Sequence, residues 1–344
     1  MMWLTWRQFR PQAITALTAL AALAILFGAT GPHLASMYAS SGVASCQGGA
    51  CAARSGNFLL AVSGGYTVVF MLGIACVILA PAVIGVFWGA PLVAREFETG
   101  TFRLVWTQSS TRARWLAGKL AVAGAAAIAV TEGLSLLYGW WAAPIGQAAR
   151  LAPGSNFPLG MSPFSLLAFD AHGIVPIGYA AFGFTLGVTA GVMIRRTVPA
   201  IAVTLVIFAA VQVAVPLAIR PNLFPAEHAT QSLAANFSGQ QQVGGRGTFS
   251  LTVDRLDSQP GAWIYSSRAV NAAGQPVSVM PAACVNPANG DSLPCLASHG
   301  IALAVTYQPT SRYWPIQWTE TGIYLALAAL LAGFCYWRVG RRLP

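Results

Sequence analysis

Charge is what this 344-residue sequence has least of. Asp, Glu, Lys and Arg make up 8% of it against 56% hydrophobic residues, and the mean hydropathy is +0.62. A soluble domain carries roughly 25% charged residues, so this composition excludes a large water-exposed surface. Lysine is nearly missing, with Lys119 the single example. A phosphate-cradling G-x-x-x-x-G-K-[ST] loop needs its lysine followed by Ser or Thr. Here Leu120 follows Lys119, and Ala113 stands where the first glycine belongs, so the chain has no P-loop. H-E-x-x-H and G-x-S-x-G are absent too, and His33, His172, His228 and His299 are scattered. No catalytic residue, metal site or cofactor is therefore expected in this chain.

Net charge is +10, but the basic residues fall in short clusters between apolar runs. That distribution reads as membrane topology and not as a nucleic-acid face. Six apolar runs are long enough to span: residues 13–34, 66–93, 120–143, 172–194, 198–219 and 316–339. Each meets the ~20 residues that a bilayer core requires. The uncharged stretch 55–94 is read as one span kinked near Pro81, because two spans would put Arg95 opposite Arg7 and Arg10. Residues 1–12, with Trp3, Trp6 and Phe9 against Arg7 and Arg10, read as a separate amphipathic helix on the cytoplasmic membrane surface. The run that follows is too long for a cleaved signal peptide.

With these spans, 12 of the 19 lysines and arginines fall on one side: Arg7, Arg10, Arg95, Arg103, Arg112, Arg114, Lys119, Arg195, Arg196, Arg338, Arg341 and Arg342. On the other side only Arg54, Arg150, Arg220 and Arg312 are near a membrane end. The first side is then cytoplasmic, both termini lie inside, and the chain is a multi-pass protein of the plasma membrane. Arg112, Arg114 and Lys119 are expected to anchor the third span at the headgroups.

The fold class expected is membrane all-α, with six transmembrane helices and a small β-rich extracellular domain between helices five and six. Its parts are residues 1–12, spans one to five over 13–219, the outer domain over 220–315, and the last span with a basic tail over 316–344. Strict alternation marks strands at 248–253 and 301–307, with weaker candidates at 263–265 and 277–279. Cys46 and Cys51 share the first outer loop, and Cys284 and Cys295 share the outer domain, so two disulfides are expected. A metal site using the same cysteines with His228 or His299 is the open alternative, although the spacing matches no zinc pattern closely.

Three acids lie in or at the ends of spans. Asp170 is read as outside lipid and Glu320, two residues from Trp318, as interfacial. Glu132 sits mid-span. A carboxylate there either lines a substrate path or pairs with a partner helix, and both readings stay open.

The densest charge lies in Pro91 to Lys119, which contains Arg95-Glu96-Phe97-Glu98-Thr99-Gly100-Thr101. A span leaves the membrane there, Gly100 permits a sharp turn, and Thr101 can cap a short helix, within an elbow over about 97–110, that carries Phe102, Val105 and Trp106. This segment resembles the E-x-G-T stretch, followed by a hydroxyl-basic step (here Thr111, Arg112 and Lys119), between spans two and three of ABC-2 type transporter permeases. The Trp-Arg-Gln-Phe-Arg start and the Arg-Tyr-Trp-Pro-Ile-Gln-Trp-Thr-Glu-Thr-Gly lead into the last span are similar to actinobacterial members of that family. The resemblance implies a homodimer whose elbow is a coupling helix seated on a separate ABC ATPase subunit, which binds ATP and Mg. It places Glu98, Gly100, Thr101, Leu104, Trp106 and Arg112 at or near that contact. The large outer domain departs from the family pattern. Few charges line the spans, so an exported amphiphile such as a drug, peptide or lipid is the expected cargo. The alternatives are a membrane-anchored extracellular binding or sensor module and a membrane enzyme using outer-face histidines and acids.

Overall fold

The computed structural model describes residues 2–47, 50–100, 111–152, 159, 161–233, 239–243, 248–253, 256, 259, 261–285 and 292–341. Among them, six helices are long and apolar enough to cross a membrane: Arg10–Ser40, Ala50–Thr99, Arg114–Leu151, Val175–Ile194, Thr197–Asn222 and Thr310–Gly340. The first is α1 (Met2–Ser40), one continuous helix. The separate surface helix expected over residues 1–12 is thus not separate. Pro11 lies within the helix without ending it, because a missing N–H removes one bond of the ladder while the long run beyond sustains the rest.

Helix α2 (Ala50–Ile84) continues through a π-turn (Gly85–Gly89) into α3 (Ala90–Thr99). At 1.5 Å per residue, this 50-residue rod is about 75 Å long, more than twice the ~30 Å hydrocarbon core. It is therefore one span and not a hairpin. The irregularity lies at Gly85–Gly89, beyond Pro81, where α2 meets α6 (Val175–Ile194) backbone to backbone. A Cβ at Gly85 would stand 2.5 Å from the Gly183 carbonyl oxygen, and one at Gly89 2.5 Å from that of Phe184. Only glycine allows helices to approach this closely in lipid, where packing replaces the hydrophobic drive. Buried over 78% of its apolar window, α6 is the hub of the bundle.

Helix α4 (Arg112–Leu151) starts at Thr111, whose hydroxyl accepts from the Arg114 amide. It runs past the expected end at residue 143 and through Pro144. Ile145 and Ala148 are buried in the cluster built with α1 and α2, and Tyr38 donates to Gln147 Oε1 at 3.1 Å. This packing offsets the bond lost at Pro144. The short helix α5 (Leu166–Ala171) then leads to α6, and Arg195 in a left-handed turn (φ 58°) joins α6 to α7 (Thr197–Ala214). A second π-turn (Val215–Ile219) and a 3-10 turn (Arg220–Asn222) end α7.

Between α7 and the last span, the described residues form five strands. β1 (Glu227–Ser232), β4 (Trp263–Val270) and β5 (Ala302–Gln308) form an antiparallel sheet in the order β1-β5-β4. β2 (Gly239–Val243) pairs with β3 (Phe249–Val253). The alternation expected in two of them is realised: Phe249, Leu251 and Val253 point inward, as do Leu303, Val305 and Tyr307. The candidate at 277–279 makes an isolated bridge from Val279 to Thr248 instead of a strand. Helices α8 (Ala282–Val285) and α9 (Ser292–Ser298) flank the sheet, joined by Cys284–Cys295, and Cys46–Cys51 closes the α1–α2 loop. Last comes α10 (Tyr313–Arg341).

Candidate functional site

Alternating spans give the bundle two ends. One carries the α3–α4 elbow and the α6–α7 turn, and the other carries α5 and the sheet.

At the elbow end, α3 stops at Gly100 in the left-handed conformation (φ 70°), which removes any Cβ penalty from the sharp turn. Glu98 reaches across to α7. Its Oε1 accepts from the Thr197 amide at 2.9 Å and its Oε2 from the Thr197 hydroxyl at 2.6 Å. A helix N-terminus has unpaired amides and a positive dipole end, so the carboxylate caps α7 from outside its own segment. Beside it, the Arg195 guanidinium lies 5.8 Å from the Phe97 ring. Two residues back, on the opposite side of α3, Glu96 forms an ion pair with Lys119, which also donates to the Leu92 carbonyl at 3.3 Å and sits 4.8 Å over Trp115. Lys119 is 3% exposed, which corrects its expected place at the headgroups. Thus α3 is clamped to α4 and to the α6–α7 turn by two carboxylates two residues apart, on opposite sides of the helix. Of the residues expected at an ATPase contact, Glu98 and Gly100 end α3 and Arg112 is the first residue of α4, while Thr101, Leu104 and Trp106, with the helix expected up to residue 110, lie outside the described residues.

The sheet end holds a second cluster that sequence reasoning missed. Arg220 donates from Nε to Glu320 Oε2 at 2.7 Å, from Nη2 to Glu320 Oε1 at 2.9 Å, and to Asp170. The Tyr179 hydroxyl lies 2.8 Å from Glu320 Oε1 and 3.0 Å from Asp170 Oδ1. The guanidinium stacks 4.2 Å over Phe169. Asp170, Arg220 and Glu320 are 3%, 1% and 0% exposed, so both acids and their cation are enclosed by the protein. Two carboxylates on one cation leave a net negative charge out of water. Burial pushes the Asp170 carboxyl up to about 6, against the pull of Arg220. Nearby, the Gln317 Oε1 accepts from the Ile174 and Val175 amides, both at 3.1 Å, and supplies the cap that α6 lacks locally. The signal for this cluster was three charges at span ends on one side, though their separations of 50 and 100 residues hid the pairing.

Glu132 lies part-way along α4, half-buried, with Oε2 buried and unpaired among the described residues. The four expected cysteines are bonded as two pairs. His299 brings Nδ1 within 3.7 Å of Cys284 Sγ and 3.9 Å of Cys295 Sγ, the one metal-like grouping among the described residues. Its Nδ1 donates to the Cys295 carbonyl at 2.9 Å, and bonded sulfurs are not thiolates, so in this state the trio is a disulfide with a neighbouring histidine.

No curated protein and no solved structure matches the chain. The family described as ABC-2 membrane transporter related matches residues 17–220, which include three of the six spans whole, most of two more, and the described parts of the elbow. The chain therefore belongs to the ABC-2 membrane transporter related family, a multi-pass membrane protein of the permease type whose family implies an ATPase partner.

Proposed function

We propose that this chain is the permease subunit of an exporter, two copies of which pair with a separate ATPase that binds ATP and Mg. The face with the elbow is the cytoplasmic one, in keeping with the charge count, and the sheet unit is extracellular. The observation that carries the reading is the pair of hydrogen bonds that Thr197 donates to Glu98. A push on the elbow from an ATPase would reach α7 directly through this bond and α4 through Glu96 and Lys119. Force on one cytoplasmic lever would thus turn three helices together, which is what a coupling element must do.

An apolar bundle with few charges suits an amphiphilic cargo. The exposed faces of α1, of whose apolar window only 6% is buried, suit lipid or a second copy. Changing Glu98 to Lys puts a cation against the α7 N-terminus. Transport should fall at least tenfold while membrane insertion and ATP hydrolysis persist; unchanged transport would sink the coupling role.

A second reading, a membrane-anchored binding or sensor module, is favoured by the separate hydrophobic core of the sheet unit, built around Leu251, Leu303 and Val305. Deleting that unit separates the two. A sensor loses its ligand response altogether, whereas an exporter keeps nucleotide-driven coupling through the elbow.

A further inference from the structure

A cavity of about 610 Å3 opens at the sheet end between α4, α2 and the start of α10. This volume is in the range that holds a drug-sized ligand. One wall is a single face of α4: Gly139, Ala142, Ala143, Gly146 and Arg150, spaced three, four, seven and eleven residues from the first. Small side chains there leave the space open. Phe70 of α2, Phe164 and Ala168 before and in α5, and Tyr313 and Trp314 at the start of the last span line the rest.

The wall is polarised along its length. From Gly139 to Arg150 the helix rises about 16 Å. Glycine and alanine dominate the wall, and its polar residues, Gln147 and Arg150, lie toward the C-terminal end of α4. Arg150 is exposed and has no acidic partner among the described residues. The acids described at this end are engaged: Asp170 and Glu320 hold Arg220, and Glu227 holds Arg312. The other titratable groups lining the space add no positive charge. His172 carries its proton on Nδ1, which donates to the Ala168 carbonyl at 2.7 Å, and burial lowers its pKa. The Tyr313 hydroxyl accepts from Gln317.

We propose that this cavity binds a single-chain amphiphile with an anionic head, carboxylate or phosphate, on Arg150 and its apolar body along the small-residue face of α4 toward Phe70. That it is cargo rests on the exporter reading; that it binds does not. Charge complementarity selects the head, and the one-sided gradient of the wall sets its orientation.

The test uses the purified full-length chain in phosphatidylcholine nanodiscs without any ATPase. Binding of dodecyl phosphate, dodecanoate and dodecyltrimethylammonium is measured by calorimetry. The two anions should bind at least tenfold more tightly than the cation. Arg150→Gln should lose at least tenfold for the anions alone, and Arg150→Lys should keep most of the affinity. Gly146→Leu, whose new side chain meets open space in the structure, should block all binding without disturbing the fold. Equal affinity for both signs of head, or an Arg150→Gln variant that binds like the parent, would overturn the proposal. Discs containing phosphatidylglycerol separate the sources: loss of dodecyl phosphate binding there would assign the cavity to two-chain lipid and refute the single-chain ligand. A chain that binds the anions but never engages an ATPase would sink the exporter reading alone.

Discussion

Arg220 is the residue on which the sheet end depends. Removing it leaves Asp170 and Glu320 facing each other with no cation and almost no water. Breaking a buried ion pair from one side costs about 3–5 kcal/mol, so Arg220→Met should lower the thermal midpoint in detergent sharply. Asp170→Asn together with Glu320→Gln in the same background should recover much of it. An Arg220→Met variant as stable as the parent would mean that the acids are solvated. Asp170 adds a pH dependence of definite sign. Its folded pKa of about 6 lies above the ordinary 3.8, so its contribution is fully present below about pH 4 and is lost as pH rises through 6. The thermal midpoint should therefore decline between about pH 4 and 7 more steeply in the parent than in Asp170→Asn. Parallel curves for the two would contradict the raised pKa.

Elements show which features a sequence reveals and which it hides. The spans could be read because twenty uncharged residues in a row are a local property, and the strands 249–253 and 302–308 because alternation is local too. Helix ends could not. Pro11 and Pro144 look like stops, but the long run beyond Pro11 sustains α1, and packing carries α4 through Pro144. The tightest helix contact was equally hidden, since Gly85 and Gly89 find Gly183 and Gly187 only once α2 and α6 lie side by side. Of the elbow, the turn at Gly100 was visible as a motif, whereas the grip of Glu98 on Thr197 spans 99 residues and leaves no local trace. A prediction belongs at this scale. Gly85→Val places its Cβ 2.5 Å from the Gly183 carbonyl oxygen, which must shift. Overpacking of this kind costs about 1–3 kcal/mol, visible as a lower thermal midpoint, whereas Gly118→Ala, with nothing within 4 Å of its Cβ, should be silent. Equal stability of the two variants would argue against the α2–α6 contact.

At the scale of the whole molecule, the bundle is a lever system with a clamp at each end. The elbow end ties α3, α4 and α7 through Glu96, Lys119, Glu98 and Thr197. The sheet end ties α5, α6, α7 and α10 through Arg220 and Gln317. The helix common to both clamps is α7, which meets Glu98 at its first residue and leads to Arg220 at its other end. The topology has its own check: non-reducing mass spectrometry should find Cys46 linked to Cys51 and Cys284 to Cys295, with Cys76 and Cys335 free. Free thiols at all four paired positions would place those loops in a reducing compartment and reverse the orientation.

The central claim is that an ATPase drives this chain through its elbow. The chain and an ATPase that co-purifies with it are reconstituted in liposomes, and nucleotide hydrolysis and amphiphile movement are measured together for the parent and Glu98→Lys. The account predicts that the parent moves cargo in step with hydrolysis and that Glu98→Lys hydrolyses ATP but moves at least tenfold less. Cargo movement that is equal in the two proteins, or independent of ATP, would contradict it.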